Sequence, residues 1–464
     1  MSLRIDMQSH PTLHDLDRAH IWHPLTQHQI FTEGSTPLII VGGHGSTVIS
    51  QDGRAFLDAA AGLWCVNVGY GRQELAEAGS KQLYELAYYP LIQSHPRAIE
   101  LSTRLAGYLP DTPHIYFSNS GSEANEVAFK AVRQYWKQKG KPSKIKILSR
   151  FRGYHGTTLG ALAATGQPER RRDYEPLPPG FLQVSQPYCY RCPFQLSYPS
   201  CHLQCAEDFA RRIEIEDPDT VAAIIIEPVT AGGGVIVPPV DYLQRVEGIA
   251  HEYNVKLIVD EVVTGFGRLG SMFAHTPYGI RPDIITMAKG LASGYMPISA
   301  TAFSQDIFDT FLGEMDSGRH LRHVNTFGGH PVAAAVALAN LEVIESEHLC
   351  ERSQQAGQQL LHQLQDALAN VPAVGDIRGM GLLVGVELVT DRQTKKPVSN
   401  QVMRAITQYA LQRGIILGKA SDVEHQRNNV LMFAPPLVIT DDEITQLVTI
   451  IREAIITVME NPRI

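Results

Sequence analysis

Four short apolar runs, each of strand length, constrain the fold of this chain most. They are rich in Ile and Val and span residues 144–148, 221–226, 256–259 and 283–287. Unbroken apolar runs suit strands of a buried parallel sheet better than half-exposed antiparallel strands. Residues 241–254, between the second and third runs, carry apolar side chains at helical spacing, and strand–helix–strand is the crossover unit of a parallel sheet. The pattern therefore predicts an α/β fold with a largely parallel sheet.

The last third of the chain has a different pattern, which predicts a smaller α+β domain. Helices are predicted at residues 333–347, 401–413 and 441–459, and a glycine-broken strand at residues 377–388. Thr440 and Glu443 form the pattern of a capping box at the start of the last helix. We predict an N-terminal segment (1–70) packed with the small domain, a large domain (71–330) and a C-terminal small domain (331–464).

Composition and charge exclude several classes of partner. The chain has 464 residues, of which 40 are basic and 48 acidic, and the net charge of -8 argues against nucleic acid or an anionic membrane as the main partner. Residues 1–10 lack the apolar core of a signal peptide, and no later run approaches the length of a membrane span. We therefore expect a cytoplasmic protein with no membrane partner.

Charged residues follow three of the apolar runs. Glu227 and Asp260 end two of them, and Lys289 follows the third in a turn of small residues. Because ligands of open α/β sheets bind beyond the carboxyl ends of the strands, we expect these side chains to cluster. A lysine that forms a Schiff base and an aspartate that holds a pyridinium nitrogen are what pyridoxal phosphate (PLP) requires of a protein. For Lys289 alone, a surface position at a helix start is the alternative.

A phosphate site is predicted at the start of a helix over residues 123–139. Ser120, Gly121 and Ser122 precede this helix, where backbone N–H groups, hydroxyls and a glycine suit the binding of an anion. Simple N-capping by Ser120 or Ser122 is the alternative.

Two residues are candidates for the faces of a bound heterocycle. Tyr154 lies between Gly153 and His155-Gly156, and an aromatic ring in such a segment can stack on a ligand ring. Val262 lies two residues after Asp260, so in an extended segment it would point to the same side. A turn that binds no ligand is the alternative for Tyr154.

Several motifs together resemble the class III, or ω, aminotransferases of PLP fold type I. These motifs span residues 118–126, 227–234, 259–268 and 287–290. Further segments, at 21–24, 62–71, 88–91 and 189–194, are most similar to taurine:pyruvate and related ω-amino acid:pyruvate aminotransferases. The resemblance implies an aspartate aminotransferase-like fold, PLP as cofactor, and transfer of an amino group from an ω-amino acid or primary amine to pyruvate. A 4-aminobutyrate or diamine aminotransferase, a PLP aminomutase or decarboxylase, and an inactive PLP-fold binding protein are the alternatives.

The resemblance also implies roles for individual residues. Lys289 would form the Schiff base and Asp260 would hold the pyridine nitrogen, with Tyr154 and Val262 on the two faces of the ring. The cofactor site would further include Ser120, Gly121, Ser122, His155 and Glu227. Thr326 matches the position from which the neighbouring subunit completes the phosphate site, which implies a homodimer, or a tetramer built from one.

The substrate pocket is where the chain departs from the family pattern. An arginine usually lies near Gly418 to bind the acceptor carboxylate, but Lys419 stands there and Arg427 follows later. Arg427 is the first candidate and Lys419 the second, with solvated surface roles as the alternative. The predicted walls of the amine pocket are Leu63, Trp64, Tyr88, Tyr154 and Ala231. Core packing is an equal alternative for Leu63 and Tyr88.

Four cysteines crowd into one short segment. Cys189, Cys192, Cys201 and Cys205 have a spacing that could close a tetrahedral zinc site. Reduced cysteines buried as small hydrophobic residues are the alternative. No residue is assigned as a metal ligand.

Overall fold

The computed structural model describes residues 11–32, 35–420, 423–424 and 428–460. The strands are β1 (Ile40–His44), β2 (Thr47–Ser50), β3 (Ala55–Asp58), β4 (His114–Ser118), β5 (Lys146–Arg150), β6 (Phe181–Val184), β7 (Val221–Ile226), β8 (Lys256–Asp260), β9 (Ile284–Met287), β10 (Ser299–Phe303), β11 (Val374–Met380), β12 (Leu383–Asp391), β13 (Lys396–Pro397), β14 (Ile415–Ile416), β15 (Gly418–Lys419) and β16 (Val430–Phe433). The helices are α1 (Leu13–His20), α2 (Gln29–Thr32), α3 (Ala61–Trp64), α4 (Gln73–Glu85), α5 (Pro96–Tyr108), α6 (Gly121–Gln138), α7 (Leu159–Ala164), α8 (Pro168–Arg171), α9 (Gln204–Glu216), α10 (Tyr242–Glu252), α11 (Gln305–Thr310), α12 (Pro331–Ser346), α13 (Leu349–Leu368), α14 (Asn400–Gln412) and α15 (Asp441–Glu460). Among the helices of these ranges, none combines the length and apolar character that a membrane crossing requires.

A seven-stranded sheet with the order β4-β10-β9-β8-β7-β5-β6 forms the centre of the fold. Its strands are parallel except β10, which runs antiparallel to both of its neighbours. This confirms the predicted α/β fold with a largely parallel sheet. Three of the four predicted strands lie where the apolar runs placed them. The first begins at Lys146 instead of Lys144, because the Lys144 backbone N–H donates to the Lys141 carbonyl at 3.1 Å and so belongs to the preceding turn.

The crossover between β7 and β8 confirms the helical spacing predicted for residues 241–254. Helix α10 buries the predicted apolar positions, Leu243, Val246, Ile249 and Ala250. These side chains pack in one core cluster with Val221, Ile224 and Ile226 of β7 and with Leu257 and Val259 of β8. The packing fixes β7 and β8 side by side, and with them the positions at which their carboxyl ends leave the sheet.

Two smaller sheets accompany the central one. A sheet with the order β11-β12-β16-β15 carries β13 on its β12 strand, and a second sheet has the order β1-β2-β3-β14. In the second sheet β14 pairs in parallel with β3, through Ile415 with Leu57 and Ile416 with Asp58. The N-terminal segment is thus hydrogen-bonded to a strand from the last fifty residues. The division of the chain at residues 70 and 330 stays a prediction.

The three helices predicted in the last third match α12, α14 and α15, whereas α13 was not predicted. The glycine-broken strand predicted at 377–388 is two strands, β11 and β12, which form a hairpin. Gly381 makes the turn with φ +52, and a Cβ there would lie 2.6 Å from the carbonyl oxygen of Arg268, so this backbone cannot continue as a single strand. The predicted capping box is confirmed: Glu443 N donates to Thr440 Oγ1 at 3.3 Å and Thr440 N donates to Glu443 Oε2 at 2.8 Å.

Replacing Gly357 with alanine should destabilise the fold. In α13 this glycine lies against the β11–β12 turn, and a Cβ would be 2.0 Å from the carbonyl oxygen of Gly381. Backbone on both sides must shift, so we expect Gly357→Ala to lower the free energy of unfolding by about 1–3 kcal/mol in urea titrations. The control is the exposed Gly107 of α5, where a Cβ meets nothing within 4 Å. Gly107→Ala should raise stability by about 0.4–1 kcal/mol. Equal stability of the two variants would contradict this packing.

Candidate active site

The three charged residues predicted at strand ends lie at the carboxyl edge of the central sheet. Asp260 is the last residue of β8, Glu227 follows β7, and Lys289 begins a short helical turn two residues after β9. Asp260 pairs with Thr286 of β9, whose hydroxyl donates to Asn125 Oδ1 at 2.8 Å. Because β7, β8 and β9 are parallel neighbours, Glu227, Asp260 and Lys289 all follow strand ends at the same edge of the central sheet.

Asp260 is buried and receives three hydrogen bonds. Its Oδ2 accepts from Asn125 Nδ2 at 2.9 Å and from His155 Nδ1 at 2.8 Å, and its Oδ1 accepts from the Val262 backbone N–H at 3.0 Å. Only 3% of Asp260 is exposed. An ionised carboxylate only accepts hydrogen bonds, so the bond to His155 places a proton on Nδ1 of that ring. These three hydrogen bonds fix the orientation of the carboxylate.

Glu227 joins two loops of the site. Its Oε1 accepts from the Tyr154 backbone N–H at 3.1 Å, and its Oε2 accepts from the Ala231 backbone N–H at 3.2 Å. Burial raises the pKa of Glu227, against the effect of nearby His155. In these contacts the carboxyl group holds the Tyr154 loop and the Ala231 loop at a fixed separation.

The start of α6 has the form predicted for a phosphate site. Ser120 caps the helix, because its hydroxyl accepts from Glu123 N at 3.2 Å while Glu123 Oε2 accepts from Ser120 N at 3.2 Å. The capping that was the alternative for Ser120 is therefore observed, and the binding of phosphate stays a prediction. The N–H groups of Gly121 and Ser122 have no acceptor among the residues that the structure describes, as is usual for a first helical turn. These donors, at the positive end of the helix, could hold an anion.

Val262 packs against the start of α6, but its backbone conformation is not the extended one that was predicted. It does not continue the strand, because β8 ends at Asp260 and Val262 lies in the following turn. A Cβ on Gly121 would be 2.8 Å from Val262 Cγ1, so only a glycine lets the helix approach this closely. The valine thus lies beside both Asp260 and the N-terminus of α6, although the expected extended geometry is wrong.

Lys289 lies beside an aromatic wall. Its Nζ is 6.0 Å from the ring centroid of Trp64, and its backbone has φ +43, a conformation that is rare outside glycine. Within the described ranges its amine makes no hydrogen bond or ion pair. A Cβ on Gly232 would be 3.6 Å from Trp64 Cη2, so the indole also reaches the loop of the buried Ala231. Leu63 is 67% exposed, which excludes core packing within this chain.

Tyr88 and Thr326 lie together. The Tyr88 hydroxyl donates to the carbonyl of Thr326 at 2.6 Å, and its ring lies 5.8 Å from that of Phe327 and 5.7 Å from that of His330. None of the hydrogen bonds or ring contacts in the part of the chain that the structure describes joins Tyr88 to Trp64 or Lys289. The structure therefore groups Tyr88 with the exposed Thr326, and the role of each stays a prediction.

The two candidates for the acceptor carboxylate differ in what the structure shows. Arg427 lies outside the described residues. Lys419 belongs to β15 and pairs with Leu431 of β16. Binding of the acceptor by either residue stays a prediction.

The four clustered cysteines do not form a metal site in the structure. Across residues 11–460, apart from the undescribed gaps, no group of three or more His, Cys, Asp or Glu residues is arranged to hold a metal ion. Burial raises the pKa of Cys189 and raises that of Cys205 to about 12. Among the described residues, the zinc site considered from spacing alone therefore has no arrangement of ligands to support it.

Asn125 and Arg170 are site residues that the sequence did not single out. Asn125 lies one helical turn after Gly121 and binds both Asp260 and the His155 carbonyl, the latter at 2.7 Å. The signal for it was a polar residue on the sheet-facing side of α6, four residues after the predicted phosphate site. The guanidinium carbon of Arg170 lies 5.3 Å from the centroid of the Tyr154 ring, and no pattern in the sequence indicated this.

Together these residues provide the groups that PLP requires. A lysine amine lies beside an aromatic wall, a buried carboxylate is fixed for a ring nitrogen, and helix N–H groups lie beside Val262. Tyr154 supplies an aromatic ring near the same edge, and burial raises its pKa. The donor set thus fits an aldehyde cofactor with a pyridine ring and a phosphate.

Comparison with known proteins identifies the family. Residues 30–455 match the family model of class III aminotransferases. The chain is 46% identical over 454 residues to the aminotransferase YhxA of Bacillus subtilis (strain 168), covering 98% of each, and 42% identical over 445 residues to a taurine–pyruvate aminotransferase of Bilophila wadsworthia, covering 96% of each. A Bacillus anthracis aminotransferase structure superposes with a TM-score of 0.92 at 45% identity, over 95% of this chain and 97% of that one. The chain belongs to the class III aminotransferases, which are PLP-dependent transaminases of fold type I.

Proposed function

We propose that this aminotransferase moves an amino group from an ω-amino acid or primary amine, such as β-alanine or taurine, to pyruvate and so forms alanine. The main support for transamination is that the Lys289 amine lies beside Trp64, at the edge of the sheet where the Asp260 carboxylate is fixed. The similarity to a taurine–pyruvate aminotransferase over 96% of the chain supports the donor and acceptor.

In this proposal Lys289 and Asp260 carry the chemistry. When bound, PLP holds the substrate nitrogen and takes up the electron pair released at the neighbouring carbon. Lys289 would anchor the cofactor, and its free amine would be the base that takes the proton from the substrate carbon. Asp260 would keep a proton on the pyridine nitrogen, because a buried carboxylate with fixed geometry favours a positive charge beside it.

Neighbouring residues orient these two groups. Asn125 and His155 both bind Asp260 Oδ2, so the carboxylate cannot turn away from the position that they fix. Glu227 holds the backbone of Tyr154, which we propose stacks on one face of the cofactor ring, with Val262 on the other. The N–H groups of Gly121 and Ser122 would receive the phosphate.

We further propose a homodimer in which Thr326 completes the phosphate site of the neighbouring subunit. In a single chain Thr326 is exposed, and the flanking Val324 and Phe327 are 69% and 58% exposed. Apolar side chains of this size beside a functional residue favour burial by a second copy. The bond from Tyr88 to the Thr326 carbonyl would hold this segment in shape for the partner.

A donor panel tests the proposed function. The holoenzyme is incubated with pyruvate and each of taurine, β-alanine, 4-aminobutyrate, putrescine, isobutylamine and 1-phenylethylamine, and alanine is quantified. We expect alanine with β-alanine or taurine at a higher kcat/KM than with 4-aminobutyrate or putrescine. A preference for the last two would assign the chain to a 4-aminobutyrate or diamine aminotransferase, and consumption of donor without alanine would overturn the proposed transfer to pyruvate.

A further inference from the structure

Thr286 is the polar residue of the buried strand β9. All four residues of this strand are buried, and Thr286 lies between the apolar Ile285 and Met287. We propose that Thr286 positions the Asp260 carboxylate by holding the amide of Asn125 in one orientation. This inference rests on the proposed function, in which Asp260 binds the pyridine nitrogen of the cofactor, and it adds a positioning residue that acts through Asn125.

The hydroxyl of Thr286 contributes a hydrogen bond that the strand itself does not need. Valine has nearly the same shape and suits a buried strand at least as well, and it would bury no polar group here. A buried hydroxyl lowers stability unless it has a partner. Thr286 Oγ1 donates to Asn125 Oδ1 at 2.8 Å, across 161 positions of the chain. This bond therefore ties β9 to one particular side chain of α6.

The Asn125 amide makes hydrogen bonds at both of its ends. Its Nδ2 donates to the His155 carbonyl at 2.7 Å and to Asp260 Oδ2 at 2.9 Å, while its Oδ1 accepts from Thr286. If the amide were turned end for end, its oxygen would face two acceptors. Asn125 is 1% exposed, so solvent has little access to replace a lost partner. Only the observed orientation satisfies all three partners.

The donors run in one direction, from Thr286 through Asn125 to Asp260. The Thr286 hydroxyl donates to the amide oxygen and the amide N–H donates to the carboxylate, so each bond strengthens the next. Thr286 also pairs with Asp260 between the parallel strands β9 and β8. The backbone pairing and the two side-chain bonds thus form a closed loop that ends on the carboxylate.

Loss of the Thr286 hydroxyl would leave Asn125 Oδ1 buried without this donor. The amide would then be free to rotate toward another donor, and the N–H that binds Asp260 Oδ2 would move with it. Asp260 would keep its bonds from His155 and from the Val262 N–H, so it would be less well fixed but not displaced. We therefore expect a smaller effect on cofactor binding and catalysis than that of Asp260→Asn.

Thr301 provides a matched control on the neighbouring strand. It pairs with Thr286 between β10 and β9 and is equally buried, and its hydroxyl also donates to α6, at 2.9 Å from the Ala124 carbonyl. Thr286→Val and Thr301→Val each remove one buried hydrogen bond between the sheet and this helix. Only Thr286→Val removes a bond that leads to Asp260.

The test measures pyridoxamine phosphate binding and turnover in three single variants and one double variant. In Thr286→Val we expect the dissociation constant of pyridoxamine phosphate, measured by dilution of the loaded full-length enzyme, to rise about threefold to tenfold. We expect kcat with pyruvate and the best donor of the panel to fall about tenfold, the scale of one lost hydrogen bond. Thr286→Ser keeps the hydroxyl, so it should stay within about twofold of wild type in both measurements, as should Thr301→Val.

The double variant tests whether Thr286 acts through Asp260. In an Asp260→Asn background, Thr286→Val should change kcat by less than about twofold, because the loosened bond no longer ends on a carboxylate. An undiminished effect of Thr286→Val in this background would show that Thr286 acts elsewhere and would contradict the inference.

The remaining outcomes separate this inference from the proposed function. Asp260→Asn with the kcat and pyridoxamine phosphate affinity of wild type overturns the proposed role of Asp260. A loss in Asp260→Asn with none in Thr286→Val overturns the inference alone. An equal loss in Thr301→Val, or a loss in Thr286→Ser as large as that in Thr286→Val, would show a general effect of packing and contradict positioning by the hydroxyl. If Thr286→Val does not fold, Thr286→Ala compared with Thr301→Ala makes the same separation.

Discussion

Lys289→Ala is expected to abolish turnover and to remove the visible absorbance of the lysine-bound cofactor. Without the Nζ amine the chain cannot anchor PLP covalently, and the base at the substrate carbon is lost at the same time. We expect kcat with β-alanine and pyruvate to fall about 10⁴-fold or more, as for other residues on which both steps depend. Steady-state assays and absorbance spectra of the purified variant measure both effects.

The control for this substitution is a lysine outside the site. Lys81 of α4 is 72% exposed and reaches only Glu85, at 3.9 Å, among the residues described. Lys81→Ala should keep the absorbance and the activity. Turnover close to wild type in Lys289→Ala would contradict the assignment of the anchor lysine, whatever the spectrum shows.

Asp260→Asn is expected to have the second largest effect. The amide keeps the shape of the side chain but carries no negative charge, so the pyridine nitrogen loses the group that keeps it protonated. We expect kcat to fall about 10²–10³-fold, the usual range when a preorganised charge in an active site is removed. The fold should survive, because the amide oxygen can still accept from the Val262 N–H.

Glu261 offers a matched control one residue away. It is also buried, but its carboxylate accepts from the His275 backbone at 2.8 Å and from the Thr264 hydroxyl, away from His155 and Asn125. Glu261→Gln should keep most of the activity and the cofactor spectrum. If both variants lost activity equally, the effect would be one of general stability, and the proposed role of Asp260 would be contradicted.

The sequence alone predicted what depends on local pattern. Unbroken apolar runs located β7, β8 and β9, and the charged residues that follow them fall at one sheet edge because parallel strands share a direction. Capping by Ser120 or Ser122 was the alternative to a phosphate site, and the structure shows that Ser120 caps α6. These features need no knowledge of distant contacts.

Features that depend on contacts between residues far apart in the chain could not be predicted from the sequence. The bond between Asn125 and Asp260 joins residues 135 positions apart and exists only because α6 packs on the central sheet in one register. The region of β11 and β12 was predicted as a glycine-broken strand, but the sequence did not show that the chain reverses at Gly381, which is seen only in its contact with Arg268. Cysteine spacing likewise suggested a metal site, and spacing alone cannot fix the directions of four thiols.

The proposed amino transfer is tested most directly by a single turnover without acceptor. Holoenzyme mixed with excess β-alanine, with no pyruvate present, should lose the absorbance of the lysine-bound cofactor and form about one equivalent of pyridoxamine phosphate per subunit. Pyruvate added afterwards should restore the absorbance and release a matching amount of alanine. Release of CO₂ from the donor, or restoration of the absorbance without alanine, would contradict the proposed transfer.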